Sequence, residues 1–467
     1  MRENKMGIMS IPKLLVSMSL PIIISMLVQA FYNVVDTYFI SISFVGETGV
    51  TALGYAFSVQ NMMIGVATGV GVGMNSLVSK SLGEKRPRHA SKIAMQGVLI
   101  ALISTALFMI IGLFFSEPFM MAQLSRVKEA DEALKQTIAD YGTSYLKIVC
   151  GLSIGMFMQI TFERMLQSTG KTIFTMISQG SGAIINIVLD WIMVTGQFGF
   201  PQMGVKGAAY ATVIGQCIAA VMAFFFNKYK NTDYKLKMKY IKPDLKIMGR
   251  IMAIGLPSIL MVGVGSLMNY LLNNMVFPRY GTDPITVFAY YFKIQSFIFM
   301  PVFGLNNGLV PIVAYNYGAG YKERLYKAIK TAVICAMVLM GIGLIIFQTI
   351  PRQILEIFDV SESVMGIGIR ALRTISISYV FAGFCIVGGS VCQALGKSKY
   401  SFFVSVGRQL VVLVPVSMLL SYIFNDINAV WWAFPIAEIA SLALTAYFLA
   451  RVLKKIDWNR EKEADDE

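Results

Sequence analysis

Residues Gln29–Ile40 read QAFYNVVDTYFI, and the reading of this stretch decides the fold. It lies in an apolar run from about Leu14 to Ile42 whose single charge is Asp36. A run of that length can cross a bilayer as a helix. A carboxylate inside such a span costs roughly 2.5–3.5 kcal/mol on insertion scales, so something must offset it, and a cation is the usual reason. Gln29, Tyr32 or Asn33, and Asp36 recur at helical spacing and draw one polar stripe down a greasy helix. The competing reading is an Asp bonded to a neighbouring helix for packing alone. Intramembrane ionisable groups are by default functional, which favours an ion site.

The rest of the chain has the same character. Of 467 residues, 56% are hydrophobic and 14% charged, whereas soluble domains carry about 25% charged residues. No polar stretch is long enough to build a soluble domain. Twelve apolar spans are expected near 14–41, 51–79, 93–115, 140–162, 173–195, 204–227, 249–278, 285–315, 328–350, 369–394, 400–423 and 429–450. The first far exceeds a signal-peptide core. With the N-terminus in the cytoplasm, 29 Lys and Arg fall in or beside inside segments and 8 in or beside outside ones. That bias predicts a multi-pass protein of the cell membrane with both termini cytoplasmic. It also explains the net charge of +14 without nucleic acid, because the basic residues sit in short loops. The five Cys show no Cys-x-x-Cys spacing, so no disulfide framework is expected.

The chain repeats itself weakly. Pro21 in SLPII answers Pro257 in GLPSI, and Gly69, Gly73 and Gly83 answer Gly304, Gly308 and Gly318. Gln167, Gly170 and Lys171 answer Gln393, Gly396 and Lys397. Parallel repeats of six helices are a transporter architecture. The expectation is an all-α polytopic membrane protein with twelve transmembrane helices in two parallel six-helix repeats. The N-lobe is 1–227 and the C-lobe 249–455, joined by a basic cytoplasmic linker at 228–248 and followed by a charged tail at 456–467. The linker reads as a solvated segment facing anionic lipid, and 116–136 as a short surface helix. Pro21 is placed to bend the first helix, and Pro301 marks an expected helix break.

Two further motifs carry chemistry. NIVLDW puts Asn186 and Asp190 four apart on one helical face, and GAAYAT does the same for Ala208 and Thr212. Counted from span ends, Asp36, Asp190 and Thr212 all lie roughly 8–12 Å below the outer surface. Carboxylates, an amide, a hydroxyl and the Ala208 carbonyl at one depth suit a hard cation such as Na+; two neighbouring acids suit a proton carrier. Their equivalents in the second half, Leu272 and Val416, are apolar, so the site belongs to the first half. The second half offers Lys293, Arg408 and Glu438. Lys293 and Glu438 fall at similar depth and are expected to pair, as a structural or gating ion pair or as substrate contacts. Gly65, Gly69 and Gly73 read as small-residue helix packing. Gly170-Lys171-Thr172 lacks the P-loop glycine, with Met165 in its place. Lone His89 sits in a basic loop. No nucleophile triad or metal cluster is visible, so no enzyme activity and no cofactor are expected, and an ion gradient must drive any transport.

Together these features resemble the multidrug and toxic compound extrusion (MATE) family. The likeness covers the whole chain: two six-helix halves, SLPII, Tyr32 and Asp36, Asn186-x-x-x-Asp190, GAAYAT, and PIVAYNYG at 311–318. The resemblance implies a drug/cation antiporter with a central cavity between the lobes. It implies that Tyr32, Asp36, Asn186, Asp190, Thr212 and the Ala208 carbonyl form the first-lobe cation site for H+ or Na+. Gln29 would be a cavity residue, with Asn33 beside it, and Pro21 the place where some members bend the first helix. The partners implied are small drugs or toxic organic compounds and the lipid bilayer, and one two-lobed chain suffices as a monomer. One branch of the family carries acids in the seventh and tenth helices; here 251–278 and 371–394 hold none, which favours the branch with first-lobe acids. The alternative is a lipid-linked oligosaccharide flippase of the same superfamily, whose anionic substrate would call on Lys147, Lys293 and Arg408. A membrane-embedded enzyme or a passive channel comes last.

Overall fold

The computed structural model describes residues 4–125, 131–358, 360–456 and 458. Regular structure among them is helical, as a lipid-facing chain requires when every backbone N–H must find its acceptor internally. Ten helices cross as single rods: α1 (Ile11–Ser41), α2 (Gly46–Gly83), α3 (Pro87–Leu124), α5 (Thr172–Thr195), α6 (Val205–Tyr229), α7 (Leu245–Tyr280), α8 (Asp283–Ala319), α9 (Lys322–Thr349), α11 (Ser398–Phe424) and α12 (Ile427–Lys454). Two spans are bent pairs: α4 (Glu132–Gly151 and Ile154–Ser168, 48°) and α10 (Glu362–Ser376 and Tyr379–Ala394, 51°). This gives the twelve expected spans. The protein is a multi-pass membrane protein.

The two bends fall at equivalent places in the halves, and so do the loops after them. Gly170 and Gly396 both adopt positive φ, 80° and 72°, which glycine accepts without strain. Behind each, a lysine N–H closes the helix end in the same way: Lys171 donates to the Leu166 carbonyl and Lys397 to the Cys392 carbonyl, both at 2.8 Å.

By contacts the chain falls into two compact units. One holds Met1–Ile23, Gly83–Lys85 and Leu256–Glu467; the other holds Ile24–Leu82 and Arg86–Gly255. The divisions inside α1 and α7 lie beside Pro21 and Pro257, the prolines inside those helices. In the first unit a Cβ at Gly304 or Gly308 would strike Ile23 or Ser19 of α1. In the second, a Cβ at Gly73 would strike the Ile251 carbonyl, and one at Gly255 would lie 2.7 Å from the Gly69 carbonyl. The repeated glycines therefore serve one purpose in both units: each set seats the first half of a repeat's leading helix at backbone distance.

Three local expectations are corrected. The surface helix expected at 116–136 is absent from the described part of that segment. Instead α3 continues to Leu124 with Pro118 inside it, and α4 begins at Glu132; residues 126–130 lie outside the described residues. Pro301 does not break α8, which runs through both Pro301 and Pro311. The linker is not a freely solvated segment. Gln96 of α3 donates to the carbonyls of Tyr240 and Lys242, both at 2.8 Å, and accepts from the Asp244 N–H at 3.0 Å. Ser91 Oγ donates to the Lys235 carbonyl, and Lys171 pairs with Asp233 at 3.1 Å. Tyr234 is buried. Of the tail at 456–467, only 456 and 458 lie within the described residues.

Candidate cation site

The site is built where α5 and α6 meet. Both helices carry small residues at the contact, so their backbones touch. A Cβ on Gly182 would lie 2.8 Å from the Gly215 carbonyl, one on Gly215 would lie 2.7 Å from the Gly182 carbonyl, and one on Gly207 would lie 2.7 Å from the Met193 carbonyl. This approach presses Asn186 and Asp190, one turn apart on α5, toward Thr212 of α6. Asn186 Nδ2 lies 3.5 Å from Thr212 Oγ1, which accepts. Ala208, one turn before Thr212, is fully buried.

α1 supplies Asp36. Its carboxyl meets that of Asp190 within hydrogen-bonding reach. Both acids are withdrawn from solvent, Asp36 to 8% exposure and Asp190 to 0%. Two bare carboxylates in contact repel each other unless a proton or another cation lies between them. Most of their oxygens find no donor among the described residues. Asp36 Oδ1, both carboxyl oxygens of Asp190 and Asn186 Oδ1 are buried and meet no hydrogen-bond donor among the described residues. Buried acceptors are normally satisfied. The oxygens of two facing acids, with an amide oxygen one turn before Asp190, suit a proton or a hard cation.

The remaining expected residues divide. The Tyr32 hydroxyl bonds Gln29 and lies in the field of both acids, and Gln29 in turn accepts from Gln179 Nε2 at 3.1 Å. Asn33 is exposed on another face of α1, and its carbonyl accepts from Thr37 Oγ1; the structure does not bring it to the acids. Pro21 lies inside α1 with the helix continuing through it. The expected Lys293–Glu438 pair is corrected: Glu438 takes Arg408, Nη1 to Oε2 at 3.1 Å. Arg408 reaches it from α11, which packs on α12, while Lys293 is exposed with its Nζ 6.0 Å from the Tyr290 ring centre.

Sequence reasoning misses three residues. Tyr145 of α4 is buried, donates to Gln60 Oε1 at 3.3 Å, and interacts with Asp36, Asp190, Tyr32 and Thr212. A tyrosine in a largely apolar span, with Tyr141 one turn before it, gives no sign of this. Glu163 and Arg164 fall in a loop if the fourth span ends at 162. Helix α4 instead runs on to Ser168 and buries both. Gln159 donates to Glu163 at 3.0 Å, and Arg164 donates to Gln167 at 3.0 Å. The adjacency of opposite charges at a span end is the available signal.

The profile of the MatE family matches residues 21–192 and 257–419, one match in each half of the chain. The chain belongs to the MatE family. Its two matched segments cover the helices of Asp36 and Asp190 in one half and α7 to α11 in the other. Among curated relatives, this MatE chain is similar to the multidrug export protein MepA of Staphylococcus saprophyticus subsp. saprophyticus, 24% identical over 449 residues that span 95% of this chain and 94% of that protein. Among solved structures it is similar to the MATE multidrug transporter DinF-BH, 30% identical with a TM-score of 0.84, covering 96% of this chain and 98% of that one. A MOP superfamily transporter from Pyrococcus furiosus shares the fold at 23% identity, with a TM-score of 0.85 over 97% of this chain and 98% of that one.

Proposed function

We propose that this MatE protein is a cation-coupled multidrug efflux antiporter that expels amphipathic, often cationic, organic compounds by alternating access. The observation that supports it most is the set of four buried acceptor oxygens on Asp36, Asp190 and Asn186 that meet no donor among the described residues. They form a place for a transported H+ or Na+, with Tyr32, Thr212 and the Ala208 carbonyl at its edge. Similarity to MepA and DinF-BH supports the export of drugs. Entry of the cation from outside satisfies the acids and favours one state of the protein; the drug favours the other. The two ligands need not touch, because each only has to bind the two states unequally. The protein works in the cell membrane, as a monomer, with both termini in the cytoplasm.

The flippase alternative loses support, since Arg408 is paired with Glu438 and Lys147 and Lys293 are exposed. Ethidium efflux from preloaded proteoliposomes tests the main reading. One arm imposes an inward pH gradient in sodium-free buffer, and a second imposes an inward sodium gradient at constant pH. Efflux in either arm, lost in Asp36→Asn, supports the antiporter and names the ion. No efflux in both arms from folded protein, or full efflux by Asp36→Asn, overturns it.

A further inference from the structure

A second group of buried polar atoms lies in the unit that contains α8 to α12. Arg408 stands in α11 on a π-helical turn, Gly407–Leu413; such turns gather at functional sites. Its bond to Glu438 of α12 borders a cavity of about 160 Å³ walled by Tyr291, Phe292, Phe299 and Phe434. The Glu438 side chain is 6% exposed and that of Arg408 33%.

The pair is neutral but only half satisfied. A guanidinium carries five N–H donors, and among the described residues Arg408 uses one, toward Glu438. Lining the same cavity, Glu438 Oε1 and Gln295 Oε1 are buried acceptors that meet no donor among the described residues. The cavity therefore holds guanidinium N–H groups that no described residue takes and two buried acceptors that no described residue serves. An ion pair kept for packing alone would close its remaining bonds, since unmet buried polar groups are costly.

We propose that this cavity binds one aromatic ring bearing both a carboxylate and an N–H donor. The carboxylate sits on Arg408, in the two-pronged geometry a guanidinium favours. The N–H points to Glu438 and Gln295, and the ring stacks against the aromatic wall. The size agrees: a cavity of about 150 Å³ holds benzene, so this one takes a single ring. An organic cation leaves the free guanidinium N–H groups unmet, and a plain aromatic anion leaves Glu438 Oε1 and Gln295 Oε1 without a donor. This inference stands apart from the antiport reading, because none of these residues belongs to the Asp36 site.

Equilibrium dialysis of 3-aminobenzoate against the full-length protein in detergent tests it, with benzoate and benzylamine as comparisons. The expected result is saturable 3-aminobenzoate binding at least about tenfold tighter than that of benzylamine. The double variant Arg408→Gln with Glu438→Gln leaves no buried charge alone and should lose that binding. Glu438→Gln by itself should tighten benzoate, because the competing carboxylate is gone. Undiminished binding in the double variant, equal binding of benzylamine, or no saturable binding by folded wild-type protein overturns the proposal. If the double variant does not fold, an unchanged benzoate affinity in Glu438→Gln overturns it. Ethidium efflux is read separately on the same preparation, so failure of antiport and failure of this cavity remain distinct.

Discussion

Gly182 and Gly215 stand so close that a Cβ on either would reach within 2.8 Å of the other's carbonyl oxygen. On Gly215 the same Cβ would also lie 3.1 Å from the Asn186 Cβ. The backbone contact between α5 and α6 thus sets the position of the amide that faces Thr212. Substituting Gly215→Val should push the helices apart, at about 1–3 kcal/mol for overpacking. Cation-driven ethidium efflux should fall further than the modest loss of thermal stability explains. Wild-type efflux with an unchanged melting temperature would separate the contact from the site.

Asp190 is the most buried acid of the site, and neither of its oxygens meets a donor among the described residues. Asp190→Asn keeps the shape and removes the charge. A group kept for stability would be missed on unfolding; a group kept for an ion would not. Efflux should drop by about tenfold or more, within the usual range of coupling energies. The melting temperature should hold or rise, because a buried charge is costly. Thermal unfolding in detergent beside the efflux assay checks both signs.

The Tyr145 hydroxyl links Gln60 to the acid group without being one of the unsatisfied oxygens. Removing it in Tyr145→Phe deletes one hydrogen bond, worth about 0.5–1.5 kcal/mol. The concentration of the coupling ion needed for half-maximal efflux should rise several-fold, with the maximal rate retained. A loss of maximal rate without a change in that concentration would place Tyr145 outside cation binding.

Gln96 is buried and holds the segment between the halves by three backbone hydrogen bonds. Gln96→Ala should release the strap at about 1–3 kcal/mol for the groups left unmet. Trypsin should then cut after Lys235, Lys237 or Lys239 several-fold faster than in the wild type, while α3 stays protected. Equal cleavage rates would show that Lys171–Asp233 and Ser91 suffice to hold it.

Much of this protein is legible in the chain as written. Twelve apolar runs dictate twelve spans, because a backbone in lipid has no other way to satisfy its hydrogen bonds. The Gly170 and Gly396 loops announce the repeat, since a left-handed turn needs glycine wherever it recurs. Asp36, Asn186, Asp190 and Thr212 are visible because polar groups in a greasy run stand out, and counting residues along a helix measures depth.

Tertiary structure alone decides who meets whom. Spacing gives depth along a helix but not its rotation or its neighbour. Depth therefore matches Glu438 to Lys293 when Arg408 reaches it. Tyr145 enters the site from a span with no local signal. The linker carries solvated charges by composition, yet Gln96, 144 residues before Tyr240, binds its backbone. Glu163 and Arg164 belong in water by the rule that charge ends a span; packing and local hydrogen bonds carry the helix past them. For the partners of Glu438, for Tyr145 and for the linker, the deciding energy is a contact between distant parts of the chain, which no local pattern contains.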